Sequence, residues 1–118
     1  GHSFGHAIEA ATDFAIPHGI AVTIGIDMAN WMSWNMGIGS QAHWAAGHDV
    51  LAKNYRGYAD HPVPLDRFLA ALAKDKKNVG TGSVTLILPD AEGRVFRAPH
   101  AADDAFRALC AQYLEQVR

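Results

Sequence analysis

The segment from His18 to Met36 constrains the fold of this chain most, because it combines helical spacing with a broad apolar surface. Pro17 before it is well placed in a first helical turn, and the glycines from Gly37 to Gly39 are typical of a helix end. A helix with so much apolar surface has to be covered by other elements. We therefore predict a largely buried helix over about 18–36, with the remaining elements packed in layers around it.

The rest of the chain predicts four more helices and one β-hairpin. Period 3.6 in the apolar residues indicates helices over 3–14 and, more weakly, over 41–54, a fourth from Leu65, and a last one that starts near Asp103 or Asp104. Alternating residues over 83–88 and 94–97 flank a turn at 89–93, which predicts the hairpin. The predicted fold class is mainly α, a helical domain of about five helices with one small β-hairpin.

The length and composition of the chain limit the kinds of protein it can be. The chain has 118 residues, 49% of them hydrophobic, which suits one domain over 1–118. Its formal charge of −2, without a basic stripe, argues against nucleic acid as a partner. The single cysteine, Cys110, lies in an apolar helical pattern and predicts an inert buried thiol in a reducing compartment. We expect a cytoplasmic protein without a membrane partner, since neither a membrane span nor a secretion signal is visible.

Three histidines near the start of the chain, His2, His6 and His18, are candidates for a metal site. Neutral imidazole is the commonest metal ligand, and several such rings must converge to hold an ion. Spacing alone favours a pair of His2 and His6, because residues four apart share one helical face. The other four histidines are interpreted as ordinary hydrogen-bonded residues without an assigned role: His43, His48, His61 and His100.

Three sequence motifs resemble the C-terminal domain of 3-dehydroquinate synthase and its sugar-phosphate cyclase relatives. They are Gly-His-Ser-Phe-Gly-His-Ala-Ile-Glu-Ala at 1–10, Pro-His-Gly at 17–19 followed by Ala-Val-Thr-Ile-Gly at 21–25, and Lys-Asp-Lys-Lys-Asn at 74–78. The resemblance implies the helical half of a two-domain enzyme whose active site lies between the halves. The N-terminal NAD-binding domain is expected to be missing here, the chain alone to be inactive, and the protein to be a homo-oligomer.

The resemblance also implies a role for each site residue. It assigns His2 and His18 to a divalent metal, zinc or cobalt, together with a glutamate from outside this sequence. It assigns His6 to the substrate phosphate, as a hydrogen-bond donor and possible catalytic proton relay, and Lys76 and Lys77 to the same anion. NAD is expected only in the full-length enzyme. A zinc site with three protein ligands and an open position suits catalysis, and a lysine ammonium binds phosphate as a point charge.

The implied reaction combines NAD-dependent oxidation, phosphate elimination and closure of a carbocycle from a seven-carbon sugar-acid phosphate. It would place the protein in the shikimate pathway of aromatic amino acid biosynthesis. Ile20 stands where many relatives have glutamate, and the Ile-Asp-Met-Ala segment at 26–29 is similar to that of sedoheptulose 7-phosphate cyclases of secondary metabolism. The product therefore stays open between these two classes of lyase.

Two further alternatives are considered. An iron-dependent alcohol dehydrogenase-like protein would need another histidine ligand, such as His43 or His48. A non-catalytic oligomerising module would bury the apolar surface left by a lost domain.

Overall fold

The computed structural model describes residues 2–73, 83–101 and 103–118, apart from the side chains of His2, Ser3, Ser83 and Thr85. The described ranges form five helices and one hairpin, which confirms the mainly α prediction. The helices are α1 (His2–Ala11), α2 (His18–Asn35), α3 (Gln41–Tyr55), α4 (Leu65–Ala73) and α5 (Asp104–Gln112). The strands are β1 (Ser83–Pro89) and β2 (Val95–Ala101). A 3₁₀ turn over Arg56–Tyr58 follows α3, and a π-helical segment over Tyr113–Val117 follows α5.

Helix α2 lies at the centre of the domain, as its apolar surface predicts. It packs against α1, α3, α5 and β1, while α4 covers the other side of α1. The fully buried large side chains come from every layer: Phe4, Ile8, Ile16, Ile24, Met28, Met32, Tyr55, Phe68, Leu72, Leu86, Leu88 and Tyr113. In the part of the chain that the structure describes, no helix is both long and apolar enough to cross a membrane.

The helix boundaries follow the capping residues of the sequence. Helix α2 begins directly after Pro17 and ends before Gly37, whose φ of +79° is the left-handed conformation that favours glycine. The Ser40 hydroxyl accepts a hydrogen bond from the His43 amide at the start of α3. Asp103 does the same for the Phe106 amide at the start of α5, which confirms the predicted acidic start of the last helix.

The first helix is shorter than predicted. It ends at Ala11 rather than near Phe14, and both Asp13 and Phe14 adopt a left-handed backbone, with φ of 52° and 63°. The Thr12 hydroxyl donates to the Ile8 carbonyl, and the Phe14 amide donates to the Glu9 carbonyl, so these bonds close the helix end. The turn reverses the chain and brings the start of α2 back onto α1.

The hairpin has the predicted turn but a longer second strand. Pairing runs antiparallel from Ser83 with Ala101 to Pro89 with Val95. Pro99 lies inside the second strand, beyond the predicted end, because an edge strand of a two-stranded sheet tolerates a residue without an N–H. The Ser33 hydroxyl of α2 donates to the Pro89 carbonyl, which ties the hairpin to the central helix.

Candidate functional site

The structure brings His6 and His18 together at the junction of α1 and α2. Their ring centroids lie 6.2 Å apart, with 28° between the ring planes. His6 lies in the middle of α1 and His18 is the first residue of α2, and both are exposed. The chain reversal between the helices therefore places two imidazoles side by side at the surface, as a converging site requires.

Gly5 permits this close approach of the two helices. A Cβ atom at this position would lie 3.1 Å from the Val22 Cα and 3.2 Å from the Ala21 carbonyl oxygen. Both neighbours are backbone atoms of α2, which cannot rotate away as a side chain can. The glycine next to His6 is thus explained by packing, and it holds α1 against the first turns of α2.

Glu9 completes the described part of the site. Its carboxylate Oε1 lies 2.8 Å from Nδ1 of His18. The Glu9 residue is only 7% exposed, whereas the His18 side chain retains 64% of its accessible surface. A buried carboxylate on α1 therefore contacts an exposed imidazole on α2. From the sequence, a glutamate three residues after His6 on one helical face can orient a ring or be an ordinary solvated or capping residue, so Glu9 is not among the predicted site residues.

Three predicted site residues fall outside the part of the chain that the structure describes in full. The His2 side chain is one, and Lys76 and Lys77 both fall in the undescribed range 74–82. Within the described residues, no group of three histidine, cysteine or acidic side chains is arranged to hold a metal ion. The ligand pair of His2 and His18 and the phosphate contacts of the two lysines stay predictions.

A second polar cluster lies deeper in the domain, around Asp27 of α2. This carboxylate is fully buried. His48 Nδ1 lies 2.9 Å from Oδ1, while the Tyr55 and Tyr113 hydroxyls donate to Oδ2 over 3.1 and 2.6 Å. These partners come from α3 and the C-terminal segment, so one side chain joins three elements.

The Asp27 cluster is a hydrogen-bond network that stabilises the fold. Burial and the neighbouring Asp27 charge raise the pKa of both Tyr55 and Tyr113, so both phenols stay protonated and act as donors. Sequence reasoning missed this cluster. The available signal was an acidic residue between Ile24 and Met28 on an otherwise apolar helix, which indicates a buried carboxylate with partners elsewhere.

The other candidate residues lie apart from the histidine pair. His43 lies close to the Gly93 turn, His61 contacts the Tyr58 ring, and burial lowers the pKa of His100. Burial raises the pKa of the Cys110 thiol to about 12, which confirms the predicted inert, buried cysteine. A cleft of about 400 Å³ beside the connector after α3 is lined by neither His6 nor His18, the predicted site residues whose side chains the structure describes.

Residues 1–78 match the family described as 3-dehydroquinate synthase C-terminal. The chain belongs to this family. The match includes both histidine motifs and the Lys-Asp-Lys-Lys-Asn segment, the residues on which the sequence resemblance depends. The resemblance stated from the motifs is therefore confirmed.

Curated relatives agree with this assignment. The chain is 39% identical over 106 residues to a 3-dehydroquinate synthase of Rhizobium meliloti, which covers 83% of the chain and 28% of that protein. It is 35% identical over 124 residues to a 3-dehydroquinate synthase of Paracoccus denitrificans, which covers 100% of the chain and 33% of that protein. The chain thus spans about a third of the length of these relatives.

The fold also matches part of a solved structure. A 2-deoxy-scyllo-inosose synthase, solved with carbaglucose-6-phosphate, NAD⁺ and Co²⁺, matches 98% of the chain and 33% of its own chain with a TM-score of 0.73. Sequence identity is 21%, so this match shows a shared fold. A second structure of a 2-deoxy-scyllo-inosose synthase matches with a TM-score of 0.69.

Proposed function

We propose that this chain is the metal- and phosphate-binding part of a 3-dehydroquinate synthase-like cyclase, a carbon-oxygen lyase. The observation that carries the proposal is the pairing of His6 and His18 at the start of α2, 6.2 Å apart, inside the family match. The relatives are named 3-dehydroquinate synthase, which favours a seven-carbon sugar-acid phosphate as substrate over sedoheptulose 7-phosphate.

The donor set fits a divalent cation. His18 is largely exposed, and its Nδ1 already faces a carboxylate, so among the described residues the second ring nitrogen has no hydrogen-bond partner and can ligate. We assign His18 and His2 to the ion, with a carboxylate from outside this sequence as the third ligand. An ion held there, zinc or cobalt, would supply Lewis-acid chemistry by polarising a substrate oxygen. The similar inosose synthase was solved with Co²⁺, which is consistent with this class of ion.

His6 is assigned to the substrate phosphate. It lies on the exposed surface of α1 beside the His18 ring, so an anion bound there would be close to the metal ligand. An imidazole N–H donates to phosphate oxygens, and the ammonium groups of Lys76 and Lys77 would add positive charge. Together these side chains would orient the phosphate for elimination, and their contribution is positioning.

The complete reaction also needs NAD, which we assign to a second domain. The chain spans about a third of its relatives, and its sequence shows no glycine-rich dinucleotide fingerprint directly after a predicted strand. We propose that residues 1–118 form one wall of an active site whose other wall is the NAD-binding domain. This arrangement predicts that the chain alone does not turn over substrate.

The alternative functions gain no support from the described residues. An iron-dependent alcohol dehydrogenase-like site would draw on His43 or His48, but His48 is bound to the buried Asp27 and His43 lies near the hairpin turn. A non-catalytic module would use exposed apolar side chains such as Phe14 and Val95, but these do not account for the histidine motifs inside the family match.

Titration of two probes separates the assigned roles. Co²⁺ binding is followed by visible absorption, and inorganic phosphate binding by calorimetry, for the wild type and for His2→Ala, His18→Ala and His6→Ala. We expect the first two variants to lose Co²⁺ binding, because each removes a ligand. We expect His6→Ala to keep Co²⁺ and to weaken phosphate binding.

His43→Ala serves as the matched control, since it removes an imidazole away from the site. It should bind both probes as the wild type does. Loss of Co²⁺ in His6→Ala alone, with His2→Ala and His18→Ala unaffected, would overturn the assignment of metal and phosphate ligands.

A further inference from the structure

Glu9 is the acidic side chain that lies against the proposed metal site. Its carboxylate is almost completely buried, and it contacts the His18 ring, 2.8 Å away at Nδ1. A carboxylate removed from water is costly unless a donor compensates it. The hydrogen bond to His18 therefore compensates the buried charge, which a surface ion pair would not need to do.

The contact fixes where the proton of a neutral His18 ring resides. An ionised carboxylate only accepts hydrogen bonds, so Nδ1 must carry the hydrogen. The other nitrogen, Nε2, then has the lone pair, and the geometry of a five-membered ring directs it away from Glu9. Since 64% of the His18 side chain is exposed, a nitrogen directed away from Glu9 can be reached by an ion.

We propose that Glu9 is a positioning residue that makes Nε2 of His18 the metal-ligating atom. The inference rests on the proposed function, because it assumes that His18 binds the ion. Glu9 selects the tautomer and fixes the ring orientation, as carboxylates behind metal-bound histidines do. The ring of His6 lies on another side of the same imidazole, with the centroids 6.2 Å apart and 28° between the ring planes.

The positions of Glu9 and His18 in the chain make this role independent of any other domain. They are nine positions apart in the sequence, and the turn after α1 brings them together through its own hydrogen bonds. The tautomer of His18 is therefore a property of the 118-residue chain, measurable without substrate or metal.

The first test is the tautomer of His18 in the metal-free chain. Long-range ¹H–¹⁵N correlation spectra of ¹⁵N-histidine-labelled protein at about pH 8, above the ordinary titration range of histidine, distinguish the two ring nitrogens. His18→Gln identifies the resonance. We expect the Nδ1–H form in the wild type and in Glu9→Gln, whose amide oxygen still accepts the hydrogen bond. Glu9→Ala should revert to the Nε2–H form that predominates for free histidine.

The second test is Co²⁺ affinity of the same proteins. Glu9→Ala should bind Co²⁺ about 10- to 100-fold more weakly than the wild type, and Glu9→Gln should recover part of that loss. Glu92→Ala is the matched control, because this glutamate lies exposed in the hairpin turn and its side chain contacts only Arg94 among the described side chains. Its affinity should equal that of the wild type.

The outcomes separate this inference from the proposed function. An Nε2–H tautomer in the wild type, or wild-type Co²⁺ affinity in Glu9→Ala, would overturn the role of Glu9 and leave the metal site standing. Co²⁺ binding that His18→Ala does not change would overturn the proposed function itself, and this inference with it. The wild-type spectrum decides the tautomer even if Glu9→Ala does not fold.

Discussion

Replacing Tyr113 by phenylalanine tests the Asp27 network with a minimal change. The substitution keeps the buried ring, which packs against Trp31 at a centroid distance of 5.8 Å, and removes only the hydroxyl. That hydroxyl donates to Oδ2 of Asp27 over 2.6 Å, the shortest contact of the cluster. The carboxylate keeps two donors, His48 and Tyr55.

The expected loss follows from the charge of the acceptor. A hydrogen bond to an ionised group contributes about 1.5–3 kcal/mol, and no solvent reaches the fully buried carboxylate to replace it. Apolar burial barely changes, since phenylalanine fills the same space. We therefore expect Tyr113→Phe to lower the free energy of unfolding by about 1.5–3 kcal/mol. Tyr55→Phe, which removes a longer bond of 3.1 Å, should cost less.

Urea unfolding followed by circular dichroism measures this difference. With a slope of about 1–3 kcal/mol per molar urea, the expected loss lowers the midpoint by roughly 1 M. Tyr58→Phe is the control, because its ring contacts His61 and not Asp27, and it should change stability by less than about 0.5 kcal/mol. A change in Tyr113→Phe as small as in the control would show that Asp27 does not depend on this donor.

Two further predictions concern pH and packing. Because the folded chain raises the pKa of Tyr55 and Tyr113 above 10.0, the unfolded chain loses these protons first, and stability should fall as pH rises above about 10; urea midpoints at rising pH should fall less steeply in Tyr113→Phe, and an equal slope would contradict the network. Gly5→Ala should lower the free energy of unfolding by about 1 kcal/mol, because the added Cβ would crowd the Val22 backbone and this cost exceeds the gain in helix propensity. Gly19→Ala, with open space around it, should be neutral or stabilise by up to about 1 kcal/mol, and thermal melts that rank the two glycine variants the other way would refute the close helix approach.

Local sequence signals predicted most of the fold. Pro17 and Gly37 set the bounds of α2, Asp103 capped the last helix, and the turn before Gly93 defined the hairpin. Each of these signals acts within a few residues of the backbone that it shapes. The end of α1 was wrong by a few residues, because Asp13 and Phe14 take a left-handed backbone that non-glycine residues rarely adopt.

The candidate site was less accessible from the sequence. Spacing favoured His2 with His6, a pairing that stays a prediction because the His2 side chain lies outside the described residues. The described contact between His6 and His18 depends on a chain reversal, which helical periodicity does not represent. The partners of Asp27 lie 21, 28 and 86 residues away along the chain. No local sequence pattern predicts contacts over such separations. The only local signal was an acidic residue in an otherwise apolar helix.

The short loop between Glu9 and His18 also bears on the order of folding. This contact closes over nine residues, whereas the bond from Asp27 to Tyr113 closes over 86. The entropy of bringing the ends together differs by about 2 kcal/mol between loops of these lengths. We expect α1 and α2, with His6 and His18, to pack together before the C-terminal helix docks. The proposed metal site would then form early, before the long-range contacts of the domain.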